Sequence, residues 1–330
     1  IMQNDRPSVT AIRTASACVV ATYPDGRLSA EGKPAYIYKN HTGRLMIQHF
    51  VAAYTSQYPH NNSLTYINPA DRKELLRNRA PGFLKHFPAR KNMIEEEAEH
   101  QIQDNGVEQV VVIGGGIDPL ALVKSRQFPH VSFIEFDHPA TQAFKLSVVN
   151  SPEFQKDFGT KPPNLQFVAD DLNNLTVVQV LKNAGYDPRK KTFFLLEGVL
   201  PFVPIEASKK TLSDLYENSV PGSVVIMGAM NRAHGDHALG REQHHNQFIQ
   251  GTEPILWRAK PIELWKEISE TGWGMAGIET FASLQRDFRD EAWMKTVQGE
   301  GTEFYMKLEH PVRPNAETVA RPVPIPSLAS

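Results

Sequence analysis

The 330 residues contain a single cysteine, Cys18, which excludes an internal disulfide and any zinc site built on several thiolates. One thiol fits a reducing compartment, so a cytoplasmic location is expected. An excess of either charge is also missing. The 35 basic and 37 acidic side chains leave a net charge of −2, and nothing favours nucleic acid through bulk charge. Long apolar runs are absent as well. The stretch from Ala17 to Ala21 falls far short of a membrane span, and Arg6 and Arg13 ahead of it make a poor imitation of a signal peptide. The Ile before Met2 is expected to be a trimming scar, and there is no internal repeat. What remains is a chain of ordinary composition, 41% hydrophobic and 22% charged, long enough for one large domain with additions or two modest ones.

Residues 1–105 show no alternation of strand and helix. They read as a helical N-terminal extension or cap, with helix-like stretches at Arg44 to Ser56 and Ala70 to Arg79, and a helix from Arg90 to Gln103 that Gly106 stops. From Gly106 the texture changes. Apolar runs at Val107 to Ile113, Val131 to Phe136, Leu165 to Ala169, Thr192 to Leu196 and Ser223 to Met227 read as buried parallel strands. Helix-length stretches separate them, near His138 to Val149, Leu175 to Asn183 and Ile205 to Asn218. This alternation predicts an α/β domain over 106–310, a mostly parallel Rossmann-like sheet covered on both faces. Residues 231–272 break the rhythm and read as a lid, ending in a helix from Pro261 to Thr271 with Gly272 after it. Gly277 to Ser283 and Thr302 to His310 are expected as the last two strands, an antiparallel pair. The tail 311–330 is rich in proline, without periodicity.

The run Val111-Val-Ile-Gly-Gly-Gly-Ile-Asp-Pro119 puts three glycines between the first strand and a helix. Asp118 suits the N-cap and Pro119 the first helical position. A tight turn with no ligand accounts for this equally well. Glu135 and Asp137 strengthen the ligand reading, because they end the second strand about twenty residues on, where a carboxylate can accept both hydroxyls of a ribose. Pro119 replaces the third glycine of a dinucleotide fingerprint, the one that packs beside a pyrophosphate. S-adenosylmethionine has no phosphate and tolerates that loss. Asp171 and Leu172, after the third strand, suit an adenine amino group and ring, although Asp171 serves equally as a helix cap. Glu197 is an acid in an otherwise apolar run and needs a partner. Either the ammonium or sulfonium region of the cofactor, or a lysine or arginine of the chain, meets that need.

Together these motifs resemble the leucine carboxyl methyltransferase superfamily, including its bacterial branch similar to tetracenomycin-type polyketide O-methyltransferases. The likeness runs from about Phe87 to Gly228 and rests on Ala89-Arg90, Gln109 to Asp118, Phe133 to Pro139 with Lys145, Asp171-Leu172 and Glu197 to Leu200. It implies a class I methyltransferase sheet with its last strand antiparallel. It further implies that Arg90 pairs with the cofactor's methionine carboxylate and that Gly114 and Gly116 line its methionine portion. Asp137 would hold the ribose, Asp171 and Leu172 the adenine, and Glu197 would lie near the amino-acid end. Arg90 by itself reads as a surface helix residue. The sequence departs from the family in continuing Asp118 with Pro-Leu-Ala-Leu122. It matches only loosely before that, in Thr10-Ala-Ile-Arg-Thr-Ala15, where relatives shape their substrate pocket.

Methyl transfer from a sulfonium requires alignment and exclusion of water. A small-molecule carboxylate acceptor is already ionised near neutral pH; a hydroxyl acceptor would need a base. His234 and His237 are the candidates, with Arg232 to orient an acidic substrate. The His234, Asp236, His237, His244 and His245 cluster matches no metal-binding spacing, and no metal is expected. An NAD-dependent dehydrogenase would use Gly114, Gly116 and Asp137 but has no role for Arg90 or Glu197. A non-catalytic S-adenosylmethionine-binding regulator would bind the cofactor without turnover.

Overall fold

The computed structural model describes residues 6–20, 38–60, 83–170, 176–231, 255–280 and 303–312. Before the sheet come α1 (Val9–Val20), α2 (His41–Gln57) and α3 (Phe83–Gln103). The chain then alternates through β1 (Gln109–Ile113), α4 (Leu120–Gln127), β2 (Ser132–Asp137), α5 (Pro139–Val149), α6 (Pro152–Phe158), β3 (Leu165–Ala169), α7 (Val177–Asn183), β4 (Thr192–Leu196), α8 (Ile205–Glu217) and β5 (Val224–Met230). It ends, among the described residues, with α9 (Pro261–Ile268), β6 (Gly274–Thr280) and β7 (Glu303–Glu309).

The strands form one sheet in the order β3-β2-β1-β4-β5-β7-β6. The first five are parallel, and β7 runs antiparallel to both β5 and β6. Side chains alternate across each strand, so each strand feeds two cores. Val110, Val112, Phe133, Phe193 and Leu195 pack on one face with α1 to α6. Val111, Ile113, Ile134, Phe194 and Leu196 pack on the other with α7, α8 and α9. Burial on both faces is why the parallel strands read as unbroken apolar runs. From β1 the chain moves outward to β2 and β3, then returns to place β4 on β1's other side. The order therefore reverses between β1 and β4, and a ligand crevice is expected outside their carboxyl ends.

Local differences from the sequence reading have local causes. The helix predicted from Arg90 starts at Phe83 and carries Pro88 within it. Pro88 lacks the N–H that would reach back one turn and crowds the carbonyl there, yet the helix runs through it. Helix α4 starts at Leu120, with Pro119 as its cap residue. Asp118 still accepts the Leu120 N–H, at 3.0 Å. Strand β6 begins three residues before the predicted Gly277, because Gly272, at φ 96°, turns the chain directly into it. Helix α6 was not foreseen, although Ser151 before Pro152 and Gly159 after Phe158 are ordinary helix-end signals. The predicted helix Ala70 to Arg79, the lid from residue 232 to 254 and the tail from residue 313 lie outside the described residues.

Candidate functional site

At the carboxyl ends of β1 and β4, where the strand order reverses, the glycine turn, the end of β2 and the turn after β4 come together with α1 and α3. Gly114 and Gly116 adopt positive φ, 74° and 53°, where a side chain would be strained. All three glycines also leave room for protein neighbours. A Cβ at Gly114 would collide with Val199, one at Gly115 would lie 2.5 Å from Glu135 Cγ, and one at Gly116 would lie 3.0 Å from Ala11 Cβ of α1. The glycines thus serve packing as well as any ligand, and α1 lies directly over the turn.

Asp137 ends β2 and is 4% exposed. Its carboxylate accepts the Gly116 N–H at 2.5 Å through one oxygen and the His138 N–H at 2.6 Å through the other. Burial pushes its carboxyl up, outweighing those two backbone donors. Glu197, just past β4, meets two cations of α3. Lys91 donates to Glu197 Oε2 at 2.8 Å, and Arg90 Nη2 lies 2.5 Å from Oε1 in an ion pair whose N–H is not aligned on that oxygen. Lys91 also donates to Asp118, so one ammonium ties the glycine turn to the β4 turn. Burial alone would raise the Asp118 carboxyl, but Lys91 outweighs it and holds the group below its usual range.

Arg90 is the centre of the cluster. Its Nη1 donates to Glu303 Oε2 at 3.0 Å and to the Tyr305 hydroxyl at 3.3 Å, and its guanidinium lies over the Phe87 ring. The same Glu303 oxygen accepts from Tyr305 at 2.5 Å and pairs with His86 Nε2 at 2.6 Å. Burial would push the Glu303 carboxyl up, but Arg90 and His86 outweigh it and hold the group well below the usual range. Arg90 Nε is buried and has no acceptor among the described residues. Cys18 of α1 sits in the field of these charges. Its thiol is nevertheless pushed up to about 12, because burial dominates over Lys91 and Arg90.

The structure therefore brings together five predicted residues: Arg90, Gly114, Gly116, Asp137 and Glu197. The other predicted site residues, Asp171, Leu172, Arg232, His234 and His237, lie outside the described residues, as do Asp236, His244 and His245. The structure also corrects the reading of Arg90 as a surface helix residue, since it is 4% exposed. For Glu197, the pairing with an arginine and a lysine of the chain is present. His86, Lys91, Glu303 and Tyr305 were missed. His86 stands four residues before Arg90 and so shares its helix face. Glu303 and Tyr305 alternate with the apolar Phe304 and Met306 on the last predicted strand, so period-two reading placed them on one face.

Comparison with known proteins agrees with this arrangement. The sequence profile of leucine carboxyl methyltransferases matches residues 42–216. A Mycobacterium marinum protein, provisionally named an S-adenosyl-L-methionine-dependent methyltransferase, is 34% identical over 195 residues, which are 58% of this chain and 54% of that protein. A Bacillus subtilis protein with the same provisional name is 30% identical over 121 residues, 37% of this chain and 38% of its own. The chain thus matches about half or less of the length of these curated relatives. Among solved structures, a DUF574 family protein from Streptomyces avermitilis superposes with a TM-score of 0.53 at 16% identity, covering 74% of this chain and 91% of that one. A provisionally named methyltransferase from Thermobifida fusca gives 0.54 at 14%, covering 74% and 90%. These likenesses establish the Rossmann-like class I methyltransferase fold.

Proposed function

Because the chain belongs to the leucine carboxyl methyltransferase family, we propose that it is an S-adenosylmethionine-dependent O-methyltransferase whose acceptor is a carboxylate, or a hydroxyl, of a small polyketide-like molecule. The observation that carries this reading is the pairing of Asp137 with the glycine turn. A buried carboxylate at the end of β2 is bonded to the backbone of Gly116, beside a crevice where the strand order reverses. The donor set fits an amino-acid nucleoside. Arg90 offers a buried N–H with no acceptor among the described residues, which suits a carboxylate, and Glu197 offers an anion for an ammonium.

In this reading Arg90 and Glu197 hold the amino-acid end, Gly114 and Gly116 line it, Asp137 holds the ribose, and Asp171 and Leu172 hold the adenine. S-adenosylmethionine, when bound, supplies an electrophilic methyl carbon on a sulfonium. The chain's part is to orient and to exclude water. Helix α1 covers the glycine turn through Ala11, and Arg90 and Lys91 balance the carboxylates around the crevice. A carboxylate acceptor needs no base; for a hydroxyl, His234 or His237 takes the proton and Arg232 orients an acidic substrate. A cytoplasmic setting suits the single cysteine, which is buried and in no disulfide. No helix among the described residues is long and apolar enough to cross a membrane.

Isothermal titration of the purified chain with S-adenosylmethionine, S-adenosylhomocysteine and NAD, repeated on Asp137→Ala, tests the proposal. Saturable binding of the first two, weakened at least tenfold by the substitution, is the expected result. Binding of NAD alone would overturn it in favour of a dehydrogenase. Cofactor binding without turnover on any carboxylic acid or phenol would favour a regulator.

A further inference from the structure

The guanidinium of Arg90 is held from more sides than a buried charge needs. Glu197, which Lys91 shares, already pairs with it, yet β7 delivers a second carboxylate, Glu303, to the other end of the fork. That carboxylate is itself fixed by two further donors, His86 and Tyr305, on the same oxygen. Tyr305 reaches it because the residue facing it on β5 is Gly228; a Cβ there would lie 2.9 Å from the Tyr305 ring. Phe87, one helical turn before Arg90, supports the guanidinium plane. This arrangement leaves Nε without an acceptor among the described residues and Nη2 in an ion pair with Glu197 whose N–H is not aligned on the oxygen.

We propose that Glu303, fixed by His86 and Tyr305, is a positioning residue that holds the Arg90 fork so that Nε and Nη2 are presented to the carboxylate of an amino-acid-bearing nucleoside. The inference rests on the cofactor reading above. Its logic is that Glu197 cannot be relied on to orient Arg90 once an ammonium draws on the same carboxylate. Glu303, on the far side of the fork, keeps its hold throughout. A planar guanidinium held at Nη1 and placed over the Phe87 ring loses less freedom when the ligand arrives, because much of its ordering is met beforehand.

The role predicts a selective defect. Glu303 acts on the amino-acid end of the ligand alone, so its loss should spare a nucleoside that lacks that end. Titration of the full chain and its Glu303→Gln variant with S-adenosylhomocysteine and with 5′-methylthioadenosine separates the cases. The expected result is about a tenfold or greater loss of affinity for the first and less than about a twofold change for the second. Tyr305→Phe keeps the ring over Gly228 and every charge, and carries the same test if Glu303→Gln does not fold. About a threefold loss for S-adenosylhomocysteine alone is expected there. Equal losses for both ligands, or none for either, would overturn the positioning role. Wild-type protein that binds neither nucleoside would instead overturn the cofactor reading itself.

Discussion

Two buried charge clusters lie within one sheet's width of each other, and they are built on opposite plans. Glu135 on β2 and Lys145 on α5 are ten residues apart, both essentially inaccessible, and joined at 2.6 Å; Lys145 also donates to the Asp118 carbonyl. Around Arg90, two permanent cations meet three carboxylates drawn from the glycine turn, the end of β4 and the start of β7. Each cluster contains a buried polar atom without a partner among the described residues, Glu135 Oε2 in one and Arg90 Nε in the other. The remedies differ. A carboxyl can take a proton, and burial pushes Glu135 up to about 7 despite Lys145. A guanidinium cannot shed its charge at any ordinary pH. The first cluster can settle its deficit internally; in the second, the proposed cofactor carboxylate would meet the N–H that has no acceptor among the described residues.

The sharpest way to break this contrast is Lys145→Met. Removing one partner of a buried pair should cost about 3–5 kcal/mol in urea denaturation, and the double variant with Glu135→Gln should recover most of it. A loss under about 1 kcal/mol would mean that the pair is not structural. Next in size is a pH effect with opposite signs in the two clusters. Glu135 has its carboxyl raised from 4.5 to about 7, so the folded state binds the extra proton in that window. Its stabilising contribution is full below about 4.5 and is lost as pH rises to about 7, by up to about 3 kcal/mol. Glu303 is held low, so its contribution is present above about 4.5 and is lost as pH falls further. Stability curves of Glu135→Gln and Glu303→Gln should each flatten one limb only; a variant that flattens the other limb would sink the assignment.

Arg90→Lys keeps the charge and removes the fork. We expect about a thirtyfold loss of S-adenosylhomocysteine affinity by calorimetry, with a lowered melting temperature because lysine cannot hold Glu303, Tyr305 and Glu197 together, whereas an unchanged affinity would reduce Arg90 to a charge partner. The smallest effect is expected at Gly116→Ala, which meets Ala11 at 3.0 Å and a positive φ. About 1–2 kcal/mol of destabilisation in thermal melts is expected. A neutral result would mean that α1 does not bear on the turn.

Much of this was legible before any coordinates. Strands β3 and β4 match the predicted ranges, because continuous apolar runs have few alternatives once glycine and proline punctuate them. Asp137 and Glu197 stand out as candidates because acids at the ends of apolar runs are conspicuous. Partnerships were harder. Lys91 stands beside Arg90 in the sequence, yet nothing in its neighbours says that Asp118 and Glu197 share it. Glu303 and Tyr305 were visible as one face of a strand, but only the insertion of that strand next to β5 puts them beside α3. Local pattern reveals the faces of an element, while the element's neighbours are set by the whole sheet.

That insertion also bears on the order in which the molecule can assemble. Glu303 meets His86 and Arg90 across 217 and 213 residues, among the longest separations in the structure, and contacts so distant in the chain close late. Until β7 docks, β5 is a bare edge of apolar residues from Val224 to Met230, the kind of strand onto which another chain can add. The same seven residues that complete the charge balance at Arg90 therefore shield the growing sheet. A chain stalled before β7 would lack the Glu303 contacts to Arg90 at the very stage when it is most prone to aggregate.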